Sequence, residues 1–212
     1  DSYFEYLWDG WQLFGDADFK RMYDVHTAAI VKYQAQELNG DLWFPQVDFE
    51  TGAIQDHHQS ELAAFYAGLL AQGGDRTRGK AYLASWAKVQ AKFGVLPEGY
   101  DYARAAAERV TNELRPEFVD SCLNLFLLEP DDRYRELARL HYEMMKTTSR
   151  AQYGFTIIDD ISATPMKQGD LCPGYWWSEQ MKYYWLLFSD TDRFDYKNNY
   201  LSTEGNVFVG LK

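Results

Sequence analysis

The sequence predicts an all-α fold, a toroid of helix hairpins whose apolar helices surround one axis. Three observations lead there. Apolar segments that read as helices start near residues 1, 60, 117 and 174, a recurrence of about 57 residues. Each of the first three is followed, after a short turn, by a more amphipathic segment, the polar partner of a buried helix. The first turns of the apolar segments also carry acids: Asp1 and Glu5, Glu61, Glu117 and Asp120, and Glu179. If these helices form an inner ring and start at the same end, their dipoles and carboxylates converge on one axial pocket ringed by aromatics.

Taken in order, residues 2–14 place Tyr3, Phe4, Leu7, Trp8, Trp11 and Phe14 at helical spacing. Ser2 with Glu5 fits a capping box, and Gly15 fits a stop. A more polar helix follows over about 17–36, with Phe19, Met22, Tyr23, Ile30 and Tyr33 as its stripe. A loop holding Trp43, Phe44 and Pro45 leads to a helix over 60–70, ended by Gly73-Gly74. Its partner runs over about 77–93 with Lys and Arg outside. After the Pro97-Glu98-Gly99-Tyr100 loop, a buried helix is predicted over 116–128. Pro116 fits its first turn, where a missing N–H costs nothing, and the helix dipole favours Glu117. The partner of that helix covers about 131–149, and a strand-like pair surrounds residues 153–158. A last helix spans about 175–188, and a hairpin closes over 200–203 and 207–209 around Glu204-Gly205-Asn206.

The chain has 212 residues with 46% hydrophobic content, enough for one large domain or part of a larger one. It opens inside what reads as a helix, with no signal peptide, as a piece cut from a longer domain would. No apolar run is long enough to span a membrane. A net charge of −11 argues against nucleic acid or an anionic membrane as partner. It suits a neutral ligand, or a divalent cation held by carboxylates. Aromatics at 17% fit sugar platforms or a large aromatic core. Cys122 and Cys172 allow one disulfide, although Cys122 on its apolar helix reads as a buried thiol. Adjacent His57 and His58 in a polar loop make a poor zinc site. Tyr175, Trp176 and Trp177 are consecutive and cannot all face one way, so at least one belongs to the core.

Convergent carboxylates beside aromatics have two common uses. One is glycoside hydrolysis, with two carboxyls flanking the scissile bond, about 6.5–9.5 Å apart in inverting enzymes. The other is a Ca²⁺ site built from carboxylates, carbonyls, hydroxyls and water. The plainer alternative is a set of unrelated acidic helix starts.

The ordered motifs add a resemblance. They are Asp1-Ser2-Tyr3-Phe4-Glu5-Tyr6-Leu7, Phe65 with Gly68-Leu69-Leu70-Ala71, Leu96-Pro97-Glu98, and Leu114-Arg115-Pro116-Glu117 with Ser121. Glu179-Gln180-Met181-Lys182-Tyr183 through Leu186-Leu187-Phe188-Ser189-Asp190, and then Tyr200 to Glu204, complete the set. Together they resemble glycoside hydrolase family 47, the class I α-mannosidases, over nearly the whole chain but only the later half of that family's barrel.

The resemblance implies an (α/α)7 barrel, with residues 1–212 as the C-terminal part of a single catalytic domain and the last hairpin plugging the barrel. It implies that Thr203 binds Ca²⁺ through its hydroxyl and carbonyl, and that Glu117 is the general base for a water held by the calcium. Asp1 lies across the site, in catalysis or positioning that water. Glu5, Glu98, Asp120, Glu179 and Glu204 line the calcium-water and mannose subsite. Arg115 holds a carboxylate or a sugar hydroxyl, and Tyr175 is the aromatic platform under the ring.

The implied reaction is inverting hydrolysis of terminal α-1,2-linked mannose from oligomannose glycans. The general acid is expected in the missing N-terminal half of the barrel, a required partner, so this chain alone is expected to be inactive. The alternative is a non-hydrolytic, Ca²⁺-dependent relative that binds mannose glycans. The expected location is secreted or periplasmic in a bacterium, and the secretory pathway in a eukaryote. Some residues depart from the family pattern. Asp120 replaces a Glu, Glu61 stands where most members carry His, and Ala64 takes the place of a disulfide cysteine found in many eukaryotic members. Pro173 replaces a Glu, and Gly205-Asn206 replaces Ala-His.

Overall fold

The computed structural model describes residues 2–189 and 194–210. Seven helices alternate in role: α1 (Ser2–Phe14), α2 (Ala17–Tyr33), α3 (Tyr66–Gln72), α4 (Arg76–Phe93), α5 (Glu117–Leu128), α6 (Asp132–Thr148) and α7 (Met181–Phe188). Helices α1 and α2, α3 and α4, and α5 and α6 pack as hairpins, while α3 packs on α5 and α5 on α7. The odd-numbered helices therefore form the inner row. Helix α3 is buried from Tyr66 to Ala71, whereas α6 buries only Tyr134, Ala138, His141 and Met145, spaced along one face.

The outer helices are self-sufficient at their starts. Asp16, Asp75 and Asp131 cap α2, α4 and α6, each side chain accepting a backbone N–H of the first turn. The inner helices α3, α5 and α7 have no side-chain cap. They are instead led in by other structure: a 3₁₀ turn (Glu61–Phe65) before α3, Pro116 before α5, and a π-helical turn (Trp176–Gln180) before α7. The predicted helices over 60–70 and 175–188 thus begin with non-α turns. The predicted capping box is not formed as expected, because Ser2 lies within α1 and the Glu5 carboxylate engages the terminal hairpin.

Every long connection runs from an outer helix into an inner one, and here the structure holds more strand than the sequence suggested. Strands β1 (Gln36–Leu38) and β2 (Asp41–Trp43) form a hairpin over Asn39 and Gly40, both at positive φ. That pair of residues is the preferred two-residue hairpin turn, and it ends α2 at Tyr33 rather than 36. Strands β3 (His58–Ser60), β4 (Gly99–Asp101) and β5 (Ala106–Arg109) make an antiparallel sheet that joins two connections. The third connection holds β6 (Arg150–Ala151) with β7 (Gly154–Phe155), and β8 (Ile158–Asp160) with β9 (Lys167–Gln168). The terminal hairpin is β10 (Asn199–Leu201) with β11 (Val207–Val209).

Close packing fixes the inner row. The Gly68 N–H donates to Ser121 Oγ at 2.8 Å, and that hydroxyl donates to the Ala64 carbonyl at 2.6 Å. A Cβ on Gly68 would come within 3.1 Å of the Ser121 Cα, so glycine lets α3 and α5 approach this closely. Under the first two connections, Trp43 stacks on Tyr102 at 5.3 Å and meets Trp86 edge-on. Cys122 is buried, Cys172 is exposed and both are free, so the disulfide that the sequence allowed is not formed.

Buried Asn112 ties two site-bearing turns together. Its Nδ2 donates to the Leu96 carbonyl at 2.9 Å, and its Oδ1 accepts from the Leu114 N–H at 3.1 Å. Leu114 holds φ at 60, a backbone conformation unfavourable for a branched side chain, and is itself fully buried. Asn112→Ala leaves two buried backbone groups unmatched. It is expected to lower unfolding stability by about 1–3 kcal/mol, read as a lower denaturant midpoint at unchanged m.

Candidate active site

The site is assembled at the N-terminal end of the inner row. Helix α1 presents Glu5 and Asp9 one turn apart on one face, and the terminal hairpin lies across both. The Thr203 hydroxyl donates to Glu5 Oε2, and the Tyr200 hydroxyl donates to Asp9 Oδ1. On the α7 side, the Tyr183 hydroxyl lies 3.3 Å from the Thr203 carbonyl and 3.4 Å from the Glu179 carboxylate. Lys182 Nζ donates to the Gly205 carbonyl. Gly205 has φ +67, and a Cβ there would sit 2.9 Å from the Ser178 carbonyl, so the hairpin tip lies directly on the π-helical turn.

Between these elements is a pocket of about 170 Å³ lined by Glu5, Glu117, Asp120, Tyr175, Glu179, Thr203 and Glu204, with Ser2, Phe65 and Pro116. Seven of the ten residues singled out in the sequence therefore meet at one place. Asp1 lies outside the described residues. Glu98 and Arg115 stand behind the pocket wall rather than in it. Buried Glu98 takes the Arg115 guanidinium at 2.9–3.1 Å, and Glu113 takes Nη2 at 2.9 Å. Of the two roles expected for Arg115, the geometry displays the hold on a carboxylate. Tyr175 is fixed from the same side: its hydroxyl donates to the Glu113 carbonyl at 2.7 Å, and its ring faces the guanidinium at 5.7 Å. Trp176 is core, whereas Trp177 is 54% exposed, which separates the three consecutive aromatics as expected.

A larger cavity, about 400 Å³, lies on the other side of the layer formed by Glu5, Asp120 and Thr203. It is lined by Trp8, Asp9, Asn124 and Tyr200 among others, and lacks Glu117, Glu179 and Tyr175. The smaller pocket, which combines the acids with an aromatic ring, is therefore the candidate site.

Burial dominates the electrostatics. It pushes Glu117 up to about 8 against the lowering influence of its own backbone N–H and of Arg115, and Glu179 and Glu5 add to the rise. Burial likewise raises Glu5 to about 7, where the Thr203 hydrogen bond opposes it and Asp9 adds to it. Glu179 reaches about 7, through burial and then Glu204. Asp9 reaches about 6 through burial, despite the hydrogen bonds from Tyr200 and the Thr203 backbone. Asp120 is held well above the usual range by burial and then by Glu5, Glu179 and Glu117. Arg115 is driven upward: burial opposes its charge, but the Glu98 hydrogen bond and charge outweigh burial.

Glu61 is fully buried with neither carboxylate oxygen hydrogen-bonded among the described residues. Burial, then Glu98 and Glu117, push its titration well above the usual carboxylate range. Asp9 was not singled out in the sequence, although its position four residues after Glu5 was the available signal. Glu113 was missed as well, because its role runs through Arg115 and a backbone carbonyl.

Outside the pocket, His58 Nδ1 pairs with Glu108 at 2.7 Å, while the His57 ring turns edge-on to Tyr102 at 5.1 Å. Among the described residues, no three His, Cys, Asp or Glu side chains form a ready-made metal cage. What the axial pocket offers is separate carboxylates, a threonine hydroxyl and carbonyl, and a buried Glu117 oxygen without a partner. Such a set of hard oxygens, completed by water, suits a calcium-like cation. No helix among the described residues is long and apolar enough to cross a membrane.

Comparison with known proteins gives the family. The sequence matches Glycosyl hydrolase family 47 over residues 1–209. The chain therefore belongs to that family. It is 27% identical to Alpha-mannosidase I MNS4 of Arabidopsis thaliana over 98% of its length and 34% of that protein. It is 26% identical to Mannosyl-oligosaccharide 1,2-alpha-mannosidase IC of Homo sapiens, over 97% of this chain and 36% of the other. Against ER degradation-enhancing alpha-mannosidase-like protein 2 of Homo sapiens, identity is 28% over 98% of this chain and 34% of that protein. The chain thus spans about a third of the length of these relatives. Its fold superimposes on the alpha-1,2-mannosidase from Trichoderma reesei with a TM-score of 0.86 at 18% identity, over 99% of this chain and 51% of that one. The described residues thus form about half of an (α/α)7 barrel of the kind seen in that structure, with small hairpins added.

The raised acids have a measurable consequence for stability. Glu5, Glu117 and Glu179 titrate at about 7, 8 and 7 when folded, against 4.5 as the reference value. Groups raised on folding contribute stability that is complete below the unfolded value and lost as pH rises through the folded one. Buried His141, lowered to about 4, acts the opposite way, but its gain is complete once pH passes its reference value of 6.5. Between about pH 6.5 and 8.5 the thermal midpoint in chelator is therefore expected to fall, and a flat or rising midpoint would contradict this account of the site.

Proposed function

We propose that this chain supplies the water-activating side of an inverting glycosidase that releases terminal α-1,2-linked mannose from oligomannose glycans with the help of Ca²⁺. The observation that carries the reading is the convergence of Glu5, Glu117, Asp120 and Glu179 with Thr203 and an aromatic ring in one axial pocket. A sugar is neutral and presents CH faces, so it fits an aromatic ring with charged hydrogen-bond partners around its hydroxyls.

Glu117 is the general base. In inverting hydrolysis it takes a proton from the attacking water as that oxygen bonds to the anomeric carbon and the glycosidic bond breaks. The leaving oxygen takes its proton from a general acid, which this reading assigns to the half of the barrel left uncovered in the match to the solved mannosidase. A carboxyl that titrates near 8 is mostly protonated at neutral pH and a poor base. Bound calcium would supply the positive charge that keeps the neighbouring carboxylates ionised and polarises water. Thr203 would hold it through hydroxyl and carbonyl. Glu5, Asp120, Glu179 and Glu204 would orient the water and sugar hydroxyls, with Asp1 assigned beside them by resemblance.

Glu98 is buried and fully engaged by Arg115, so both act by keeping the pocket wall and Tyr175 in place. The human relative named for mannosyl-oligosaccharides supports the choice of substrate, and the mannosidases named above support the reaction class. A secreted or secretory-pathway location follows from the same reading.

The deciding experiment uses the intact protein with an α-1,2-linked mannose oligosaccharide. Glu117→Gln is expected to cut mannose release by at least about 100-fold while leaving glycan binding within a few-fold. Unchanged release would remove Glu117 from the role of base. Glycan binding without any release by the unmodified protein would assign it to the non-hydrolytic alternative. Chelation is expected to abolish release and calcium to restore it, and Thr203→Ala is expected to abolish calcium binding measured directly.

A further inference from the structure

We infer that Asp9 is a positioning residue for the cation site, holding the terminal hairpin so that Thr203 faces the axial pocket. The inference rests on the assignment of Thr203 to calcium. Asp9 itself lies on the far side of Thr203, in the larger cavity and outside the candidate pocket.

The geometry singles it out. The polar groups of Thr203 are held from different directions. Its hydroxyl goes to Glu5, and its carbonyl faces the Tyr183 hydroxyl at 3.3 Å. Asp9 accepts the Tyr200 hydroxyl, three residues back on β10, and lines the same cavity as Thr203. Rigid α1 thus grips the hairpin at its strand through Asp9 and at its tip through Glu5. The other contacts at the tip come from α7: Lys182 on the Gly205 carbonyl and Tyr183 on the Thr203 carbonyl. Without Asp9, α1 holds the hairpin only through the Thr203–Glu5 side-chain bond, and the β10 strand loses its anchor to that helix.

An acceptor for the Tyr200 hydroxyl, rather than negative charge, is what this role requires. An asparagine oxygen satisfies it and an alanine does not. Groups that orient metal ligands without touching the metal typically change metal affinity by about 10–100-fold when removed.

The test is calorimetric titration of the intact, metal-free protein with Ca²⁺ alone. Asp9→Ala is expected to weaken binding by at least about tenfold, and Asp9→Asn to remain within about threefold of the unmodified protein. Wild-type affinity in Asp9→Ala overturns the inference. So does an Asp9→Asn variant as weak as Asp9→Ala, because the carboxylate would then act through its charge. Thr203→Ala is run alongside. If it binds calcium normally, or if the unmodified protein binds none, the assignment of the metal to Thr203 fails and this inference with it. Loss in Thr203→Ala but not in Asp9→Ala fails the inference alone. Should Asp9→Ala lose its helical circular dichroism, Tyr200→Phe removes the same hydrogen bond from the hairpin side. It is then expected to weaken binding by about threefold, and unchanged affinity overturns the proposal.

Discussion

Burial of Glu5, Glu117, Asp120 and Glu179 around one axis is the constraint that the other features of this fold answer to. Burial is the largest influence raising all four carboxyls, and repulsion from neighbouring acids adds to it. The scaffold must hold them there at a cost in stability. It does so with close packing where Gly68 and Ser121 bring α3 and α5 together. The division of labour at the helix starts follows from the same constraint. Outer helices spend an aspartate on their own first turn, whereas inner helices leave their leading acids unattached to backbone caps and directed inward.

A second layer of charge stabilises the first without entering it. Arg115 is clamped by Glu98 and Glu113, and the clamp positions Tyr175 through its ring and its hydroxyl. The turn that presents Arg115 and Glu117 is strained at Leu114 and fastened by Asn112 to the turn that presents Glu98. Partners in the clamp thus come from turns that one side chain holds in register. Strain of this kind persists only where the surroundings over-determine the backbone, as they do here.

The inner and outer rows were legible in the sequence because burial imposes a helical period on Tyr66–Ala71 and on the α6 face of Tyr134, Ala138, His141 and Met145. The acids were legible as first-turn residues, and family resemblance sharpened their grouping. Strands in the connections were not, since two- and three-residue strands have too few positions to show alternation. The exception is the strand-like pair expected around residues 153–158, where β7 and β8 stand, whereas the Asn39-Gly40 turn signal was not read. The π-helical turn was hidden for a different reason: the aromatic run Tyr175 to Trp177 satisfies helical spacing whether or not an extra residue is accommodated. Asp9 escaped notice because its partner, Tyr200, lies at the opposite end of the chain.

The connections between helices are uneven in a way that bears on how such a protein changes over time. Turns from inner to outer helix are two or three residues long, as at Gly15-Asp16 and Gly73 to Asp75. The returns, such as the stretch between Phe93 and Glu117, are long, and they lead into the pocket-lining residues Phe65, Pro116 and Tyr175. Insertions and substitutions there can remodel what reaches the acids while the ring keeps its packing. One end of the molecule is thus mechanically conservative and the other open to variation, so divergence in what the pocket admits can proceed without renegotiating the fold.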